Sequence, residues 1–383
     1  MGGLLILGTG HAGYTLAREW RKRAPDAPLT LVTRDDGANY YKPNLSKAFA
    51  SGKDAEGLIV SRAPEMAAQL SATVLTHTVI TRIAPEERAV YAGERRLAYD
   101  QLVLALGAEP IALPLAGSGA ADVLQVNDRE AYARLRARLQ PGCRVAILGA
   151  GLIGCEFAND LIAAGYRVTV ADIAAWPLPR LLPQAQGEAL REALAALGVR
   201  WHFGAAARAV EAGASGYRVE LEDGSGIEAD VVLSAVGLRA QTALARAAGL
   251  ACGPAGISVD ARLQTSAAGI FALGDCIAIG GRSLPYILPI AHASRALAAT
   301  LAGEPTAAQF PAMPVMVKTP ACPVIVCPPP PGAGQWQLSG STPDLEAVFH
   351  DAAGQPVGFA LSGAATARRG VLAAQMPPVL APG

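Results

Sequence analysis

The chain has 383 residues, long enough for two or three domains, and 51% of them are hydrophobic by type. Only 17% are charged and 5% aromatic, the profile of a well-buried α/β protein, and a formal net charge of zero argues against nucleic acid and an anionic membrane surface. No basic-then-apolar leader is read, and no apolar run reaches about 18 residues, so a cytoplasmic protein without a membrane span is expected.

In chain order, Leu4–Leu7 reads as a buried parallel strand, Gly8-Thr9-Gly10-His11-Ala12-Gly13 as a tight turn, and Tyr14–Arg23 as a helix. Leu29–Thr33 returns as the second strand of a βαβ unit. A long polar loop is expected from Arg34 to about Lys53, and long loops in compact domains are often functional. Gln101–Gly107 is another buried strand ending on glycine, and Pro110–Gly119 is a plausible domain crossing. A second βαβ unit follows: the strand Arg144–Leu148, the turn Gly149-Ala150-Gly151-Leu152-Ile153-Gly154, a helix over about Cys155–Ala164 and the strand Arg167–Ala171. Val231–Gly237 closes that unit, and Ile270–Asp275 reads as a return to the first. After about Phe310 the chain changes character, with a proline run at Pro328–Pro331 and short strands at Leu345–Phe349 and Pro356–Leu361, suggesting a small α+β unit.

Each glycine turn follows an apolar strand, opens a helix and has an acidic residue about 20 positions on, the layout of a dinucleotide-binding unit. The first glycine permits the turn, the second lets backbone approach a pyrophosphate, and the third lets helix pack on strand beside a positive dipole end. Asp35 is placed to accept ribose hydroxyls, with Asp36 as competitor. Asp172 would accept the 2′-hydroxyl of NADH and repel the 2′-phosphate of NADPH. Two such units suggest two dinucleotides held together with electrons passing between them.

Six motifs in order carry a family resemblance. They are Gly8-x-Gly10-x-x-Gly13; Tyr41-Lys42-Pro43-x-Leu45-Ser46-Lys47; Ala105-Leu106-Gly107-Ala108-x-Pro110; Gly149-x-Gly151-x-x-Gly154-x-Glu156; Ala235-Val236-Gly237-Leu238-Arg239; and Ala272-Leu273-Gly274-Asp275. The chain resembles the FAD reductases that bind two dinucleotides. Through Gly149–Asp160 (GAGLIGCEFAND), its short C-terminal part and Val317–Pro323, it is most similar to the bacterial rubredoxin reductases of alkane oxidation.

The resemblance implies an α/β fold with two Rossmann-like dinucleotide-binding domains, for FAD and NAD, plus a small C-terminal α+β domain. FAD would lie in residues 1–112 with 241–309, NADH in 113–240, and 310–383 would form an interface domain. FAD would be held through Gly8, Thr9, Gly10, Ala12, Gly13 and Asp35 or Asp36, with Ile80 offering its backbone to the adenine and Ala105 and Gly107 lying near. Lys42 and Pro43 would lie by the isoalloxazine ring, Gly274 and Asp275 by the ribityl chain, Ile287 by the pyrimidine end, and Lys318 near it. Gly149, Gly151, Leu152, Ile153, Gly154, Asp172 and Gly237 would hold NADH. Glu156, in the first helical turn, would face the nicotinamide–flavin contact, and Glu156 and Lys42 are the candidate catalytic residues. Read without the resemblance, Lys42 is a solvated loop lysine, Lys318 a surface strand lysine and Glu156 a helix-start residue worth roughly 0.3–1 kcal/mol.

Hydride would pass from NADH to FAD and electrons would leave singly to rubredoxin, a small iron protein, feeding a monooxygenase. Ferredoxin or flavorubredoxin reductases share the chemistry. A membrane NADH:quinone oxidoreductase needs an amphipathic tail, for which 376–383 is too proline-rich. A disulfide reductase needs a redox cysteine pair after the first βαβ unit, where this chain has none. The cysteines stand at 143, 155, 252, 276, 322 and 327, and Cys322 and Cys327 lie in the tail, where they read as structural. The histidines show no metal-ligand spacing. A flavin-bearing regulatory protein without turnover is the reading from a different class.

Overall fold

A computed structural model describes residues 3–380. Residues 1–2 and 381–383, and so the end of the proline-rich tail at 376–383, lie outside the described residues. The first sheet has five parallel strands in the order Ile270–Ala272, Gln101–Leu104, Leu4–Leu7, Leu29–Val32, Thr73–Leu75. Leu4 to Leu7 are all buried, as a strand covered on both faces must be. The second sheet has four parallel strands, Arg200–Phe203, Arg167–Asp172, Arg144–Leu148 and Val231–Ser234. An antiparallel ribbon, Ala108–Pro110 on Leu238–Ala240, carries the chain between the halves, and Arg239 Nε donates to Glu109 Oε1 across it at 2.8 Å.

Both fingerprint helices begin three residues earlier than the sequence predicts, at His11 and at Leu152. Gly10 and Gly151 take extended N-cap conformations, so the fingerprint's last three residues already belong to the helix. Strand ends contract for the same local reason: Gln101–Gly107 pairs only to Leu104 and Val231–Gly237 only to Ser234, after which Gly107 (φ 71°) and Gly237 (φ 120°) turn the backbone.

The expected polar loop at 34–53 is largely ordered structure. Asn39–Tyr40 pairs with Ile59–Ser61, and Lys42–Lys47 forms a 3₁₀ turn with Pro43 in its first turn. Leu45, Ser46, Ala48 and Phe49 are buried, and Phe49 packs obliquely on Tyr132 with ring centroids 5.0 Å apart. Leu45 and Phe49 anchor the segment in the core of the second sheet, which outweighs its polar composition.

The C-terminal sheet is antiparallel, in the order Val315–Val317, Val324–Cys327, Pro356–Ser362, Asp344–Asp351, Gly334–Ser341. Fully buried Gln186, on the helix Gln184–Ala196, donates through Nε2 to Leu345 O (3.1 Å) and Ala360 O (2.8 Å), tying that sheet to the second half. Nothing in the polar run Gln184-Ala185-Gln186 signals such a clamp. No helix among the described residues is long and apolar enough to cross a membrane.

Candidate cofactor-binding and electron-transfer site

The two fingerprints are built alike. Gly8 and Gly149 hold φ of 115° and 109°, values that glycine alone tolerates well. A Cβ on Gly13 would collide with the Gly8 carbonyl oxygen, and one on Gly154 with that of Gly149, so each third glycine is required for the helix to close on its own strand. Gly10 and Gly151 face open space, with nothing within 4 Å of an added Cβ. Each begins a helix that has no side-chain cap. Free N–H groups at a positive dipole end, with room above them, fit the pyrophosphate of a dinucleotide.

The same spatial logic gathers the neighbouring motifs. A Cβ on Gly8 would strike Ala105 O, and one on Gly149 would lie 2.6 Å from Ala235 O, so each strand-end turn lies against its fingerprint. Gly274 lies against Ala12, where a Cβ would stand 2.9 Å from the alanine methyl, bringing Asp275 to the first cleft. Thr9 is buried in that turn. Ile80 is half-buried just beyond Thr78, whose N–H bonds Thr33 O at the end of the second strand. Ile287 opens the helix Ile287–Leu301, which also starts without a side-chain cap.

The acidic pairs separate. Asp36 Oδ2 is taken by Arg129 and its Oδ1 by Ala38 N–H, whereas Asp35 binds Thr33 Oγ1 and Gly37 N–H through Oδ1 and is exposed. Asp172 accepts Ala150 N–H at 2.5 Å and Ala174 N–H at 2.8 Å, bracing the second glycine turn from below.

Lys42 and Asp275 face each other electrostatically, yet among the described residues neither has an ion-pair partner. Burial lowers the Lys42 ammonium from its ordinary value, opposed by Asp275, and burial raises the Asp275 carboxyl, opposed by Lys42. Two half-buried charges kept apart fit a polar ring system or chain lying between them.

One expectation is corrected here. Glu156 lies in the second turn of its helix, because that helix starts at Leu152, and it is fully buried. Lys318 is not the surface strand lysine of the plain reading: its Nζ pairs with Glu156 Oε2 and its N–H bonds Glu156 Oε1 at 3.0 Å. Ser46 Oγ donates to Glu156 Oε2 at 2.5 Å. The two residues lie 162 positions apart, and sequence patterning carries no information about such a pair. Among the described residues no group of histidine, cysteine and carboxylate side chains forms a metal site, and all six cysteines are free. Cys322 and Cys327 are buried, with the Cys327 thiol pushed up to about 11 by burial. The low-pKa exposure of a redox pair is missing.

Two dinucleotide clefts on one chain, joined at a lysine-bearing turn, define an oxidoreductase that couples two dinucleotide cofactors. Residues 3–299 match the pyridine nucleotide-disulphide oxidoreductase family, and the chain belongs to it. Residues 307–376 match the rubredoxin binding C-terminal domain. The chain is 43% identical to the rubredoxin-NAD(+) reductase of Alcanivorax borkumensis, over 98% of this chain and 99% of that protein. It is 37% identical to the nitric oxide reductase FlRd-NAD(+) reductase of Aeromonas hydrophila, over 94% and 92%. The crystal structure of the ferredoxin reductase for the CYP199A2 system from Rhodopseudomonas palustris superposes with a TM-score of 0.88 at 26% identity, over 98% of this chain and 95% of that one. The resemblance read from the motifs holds, as does the fold class, and family membership makes FAD and NADH the cofactors. It makes the protein a pyridine-nucleotide oxidoreductase.

Proposed function

We propose that the protein transfers electrons from NADH through bound FAD to rubredoxin, as a cytoplasmic member of an alkane-hydroxylating system. The observation that carries the acceptor assignment is the match to a rubredoxin binding domain over 307–376, the segment that delivers Lys318 to Glu156. Bound FAD supplies the exchange between a two-electron hydride donor and a one-electron acceptor.

The chain's own residues would bind and orient. Gly8–Gly13 and the free carboxylate oxygen of Asp35 hold the FAD diphosphate and ribose, while Asp36 is committed to Arg129. Ile80 and Ala105–Gly107 flank that cleft, and Asp275 and Ile287 line its far end. Lys42, which has no ion-pair partner among the described residues, would stabilise negative charge on the reduced ring, and Lys318, paired with Glu156, would lie near its pyrimidine end. Gly149–Gly154 and Gly237 seat NADH, with Asp172 reading its ribose. The units 1–112 with 241–309, 113–240 and 310–383 would bind FAD, NADH and acceptor respectively.

An acceptor panel tests the reading: NADH-reduced enzyme should reduce rubredoxin at least tenfold faster than plant-type ferredoxin. The relative from Aeromonas hydrophila favours flavorubredoxin as a second reading. A flavorubredoxin rate above that for free rubredoxin would select it.

A further inference from the structure

Asn159 and Asp160 end the GAGLIGCEFAND motif, and nothing in the cofactor reading uses them. Both are buried, at 5% and 4% exposure, and with Glu156 they occupy positions i, i+3 and i+4, one face of the helix Leu152–Ala163. Asp160 accepts Phe49 N–H through Oδ2 at 2.8 Å and Ala50 N–H through Oδ1 at 3.0 Å. Asn159 Oδ1 accepts Ala321 N–H at 3.1 Å. Glu156 completes the face by holding Ser46 Oγ and the Lys318 N–H. One helix face therefore grips two distant segments, mostly by their backbones: the turn that begins with Lys42 and Pro43, and the loop that begins with Lys318. A bond to backbone fixes the path of a whole segment, and with it the base of every side chain the segment carries.

Burying a second carboxylate beside Glu156 is costly unless its oxygens are fully used. Asp160 meets that condition with one N–H on each oxygen. An asparagine could accept only one of the two and would set its amide donors against the other N–H.

We propose that Asp160 and Asn159 are positioning residues that set the placement of Lys42 and Lys318, so that the NADH-side helix, the Lys42 turn and the Lys318 loop move as one body. The effect on the flavin rests on the reductase reading above; the clamp itself does not.

The test compares FAD-loaded wild type with Asp160→Asn. Hydrogen exchange in 42–52 should quicken at least tenfold, with the helix 152–163 unchanged. Loosening Lys42 should shift the flavin equilibrium toward the oxidised form about tenfold, close to 30 mV for a two-electron couple. Hydride transfer should slow while the NADH Kd stays within about twofold. Unchanged exchange in 42–52 overturns the clamp, whatever the flavin does. Faster exchange with an unmoved flavin equilibrium overturns the positioning role. If Asp160→Asn fails to fold, Asn159→Ser releases only Ala321, and the same criteria apply to 317–323. Wild-type protein that binds no FAD sinks the reductase reading, and the exchange comparison still judges the clamp.

Discussion

Replacing Lys318 by Met should cost more stability than neutralising its partner, and neutralising the partner should then restore part of the loss. In Lys318→Met, Glu156 stays fully buried and loses its counter-cation, keeping only Ser46 Oγ and the residue-318 N–H. Breaking a buried pair at one end typically costs 3–5 kcal/mol. Two surviving hydrogen bonds, and a lysine side chain that is 22% exposed, reduce this to roughly 2–3 kcal/mol. In Glu156→Gln the ammonium can turn toward water and the amide keeps one backbone bond, so about 1–2 kcal/mol is expected. The double variant removes both charges and should be more stable than Lys318→Met alone, by about 1 kcal/mol or more. Urea unfolding of all four FAD-loaded proteins, with slopes compared to confirm one transition, reads each difference from its midpoint. A double variant no more stable than Lys318→Met would refute the claim that a buried, unpaired Glu156 is the source of the loss.

Asp35→Ala should weaken FAD binding at least tenfold, about 1.4 kcal/mol, while Asp36→Ala, which frees Arg129 to remain with Glu56, should change it less than threefold; fluorescence titration of apoprotein distinguishes them. Gly10→Ala meets no protein atom within 4 Å and should fold normally yet lose FAD, whereas Gly154→Ala should retain FAD and lose its reduction by NADH, both visible in the flavin absorption spectrum. NADH should be preferred over NADPH at least tenfold in kcat/KM, and Asp172→Ala should lower the NADH value through the loosened Ala150 turn as well as the lost ribose contact. Burial holds the Cys276 and Cys327 thiols near 11 against an ordinary 9.0, so above pH 9 the unfolded chain releases protons that the folded chain keeps. Stability should therefore fall as pH rises from 9 to 11, by up to about 1.4 kcal/mol per unit per thiol, and replacing either cysteine by Ala should flatten the fall.

The parts of the molecule that repeat a local rule were legible from the chain. Apolar strand, glycine turn and acidic strand end recur at fixed spacing, and that repetition places both βαβ units from the sequence alone. Helix starts shifted by three residues because N-cap geometry belongs to Gly10 and Gly151, and periodicity registers only the apolar positions that follow. The segment 34–53 departs from its polar composition because a few apolar residues, Leu45, Ala48 and Phe49, decide its burial. What connects the halves was invisible: Glu156 with Lys318, Asp160 with Phe49 and Ala50, Gln186 with Leu345 and Ala360, and Arg129 with Asp36 are all long-range pairs. Nothing in the chain order marks these residues as one another's partners, and only the tertiary fold sets the pairing.

The outermost strand of the first sheet, Ile270–Ala272, pairs with Gln101–Leu104 but is made 166 residues after it (270 − 104). At about 5–20 residues per second, a ribosome takes roughly 8–33 s to cover that interval. Throughout it the growing chain presents Leu102, Val103 and Leu104, all fully buried in the finished protein, along an unpaired edge. The four strands of the second sheet are all made within this time and can close on their own hydrophobic core. Gly274 and Asp275 are translated only afterwards, so if the first cleft holds FAD as proposed, its capture during synthesis would come after the second sheet has been made. Overproduction that outruns flavin supply should thus accumulate chains with a finished second half and an open, sticky first sheet.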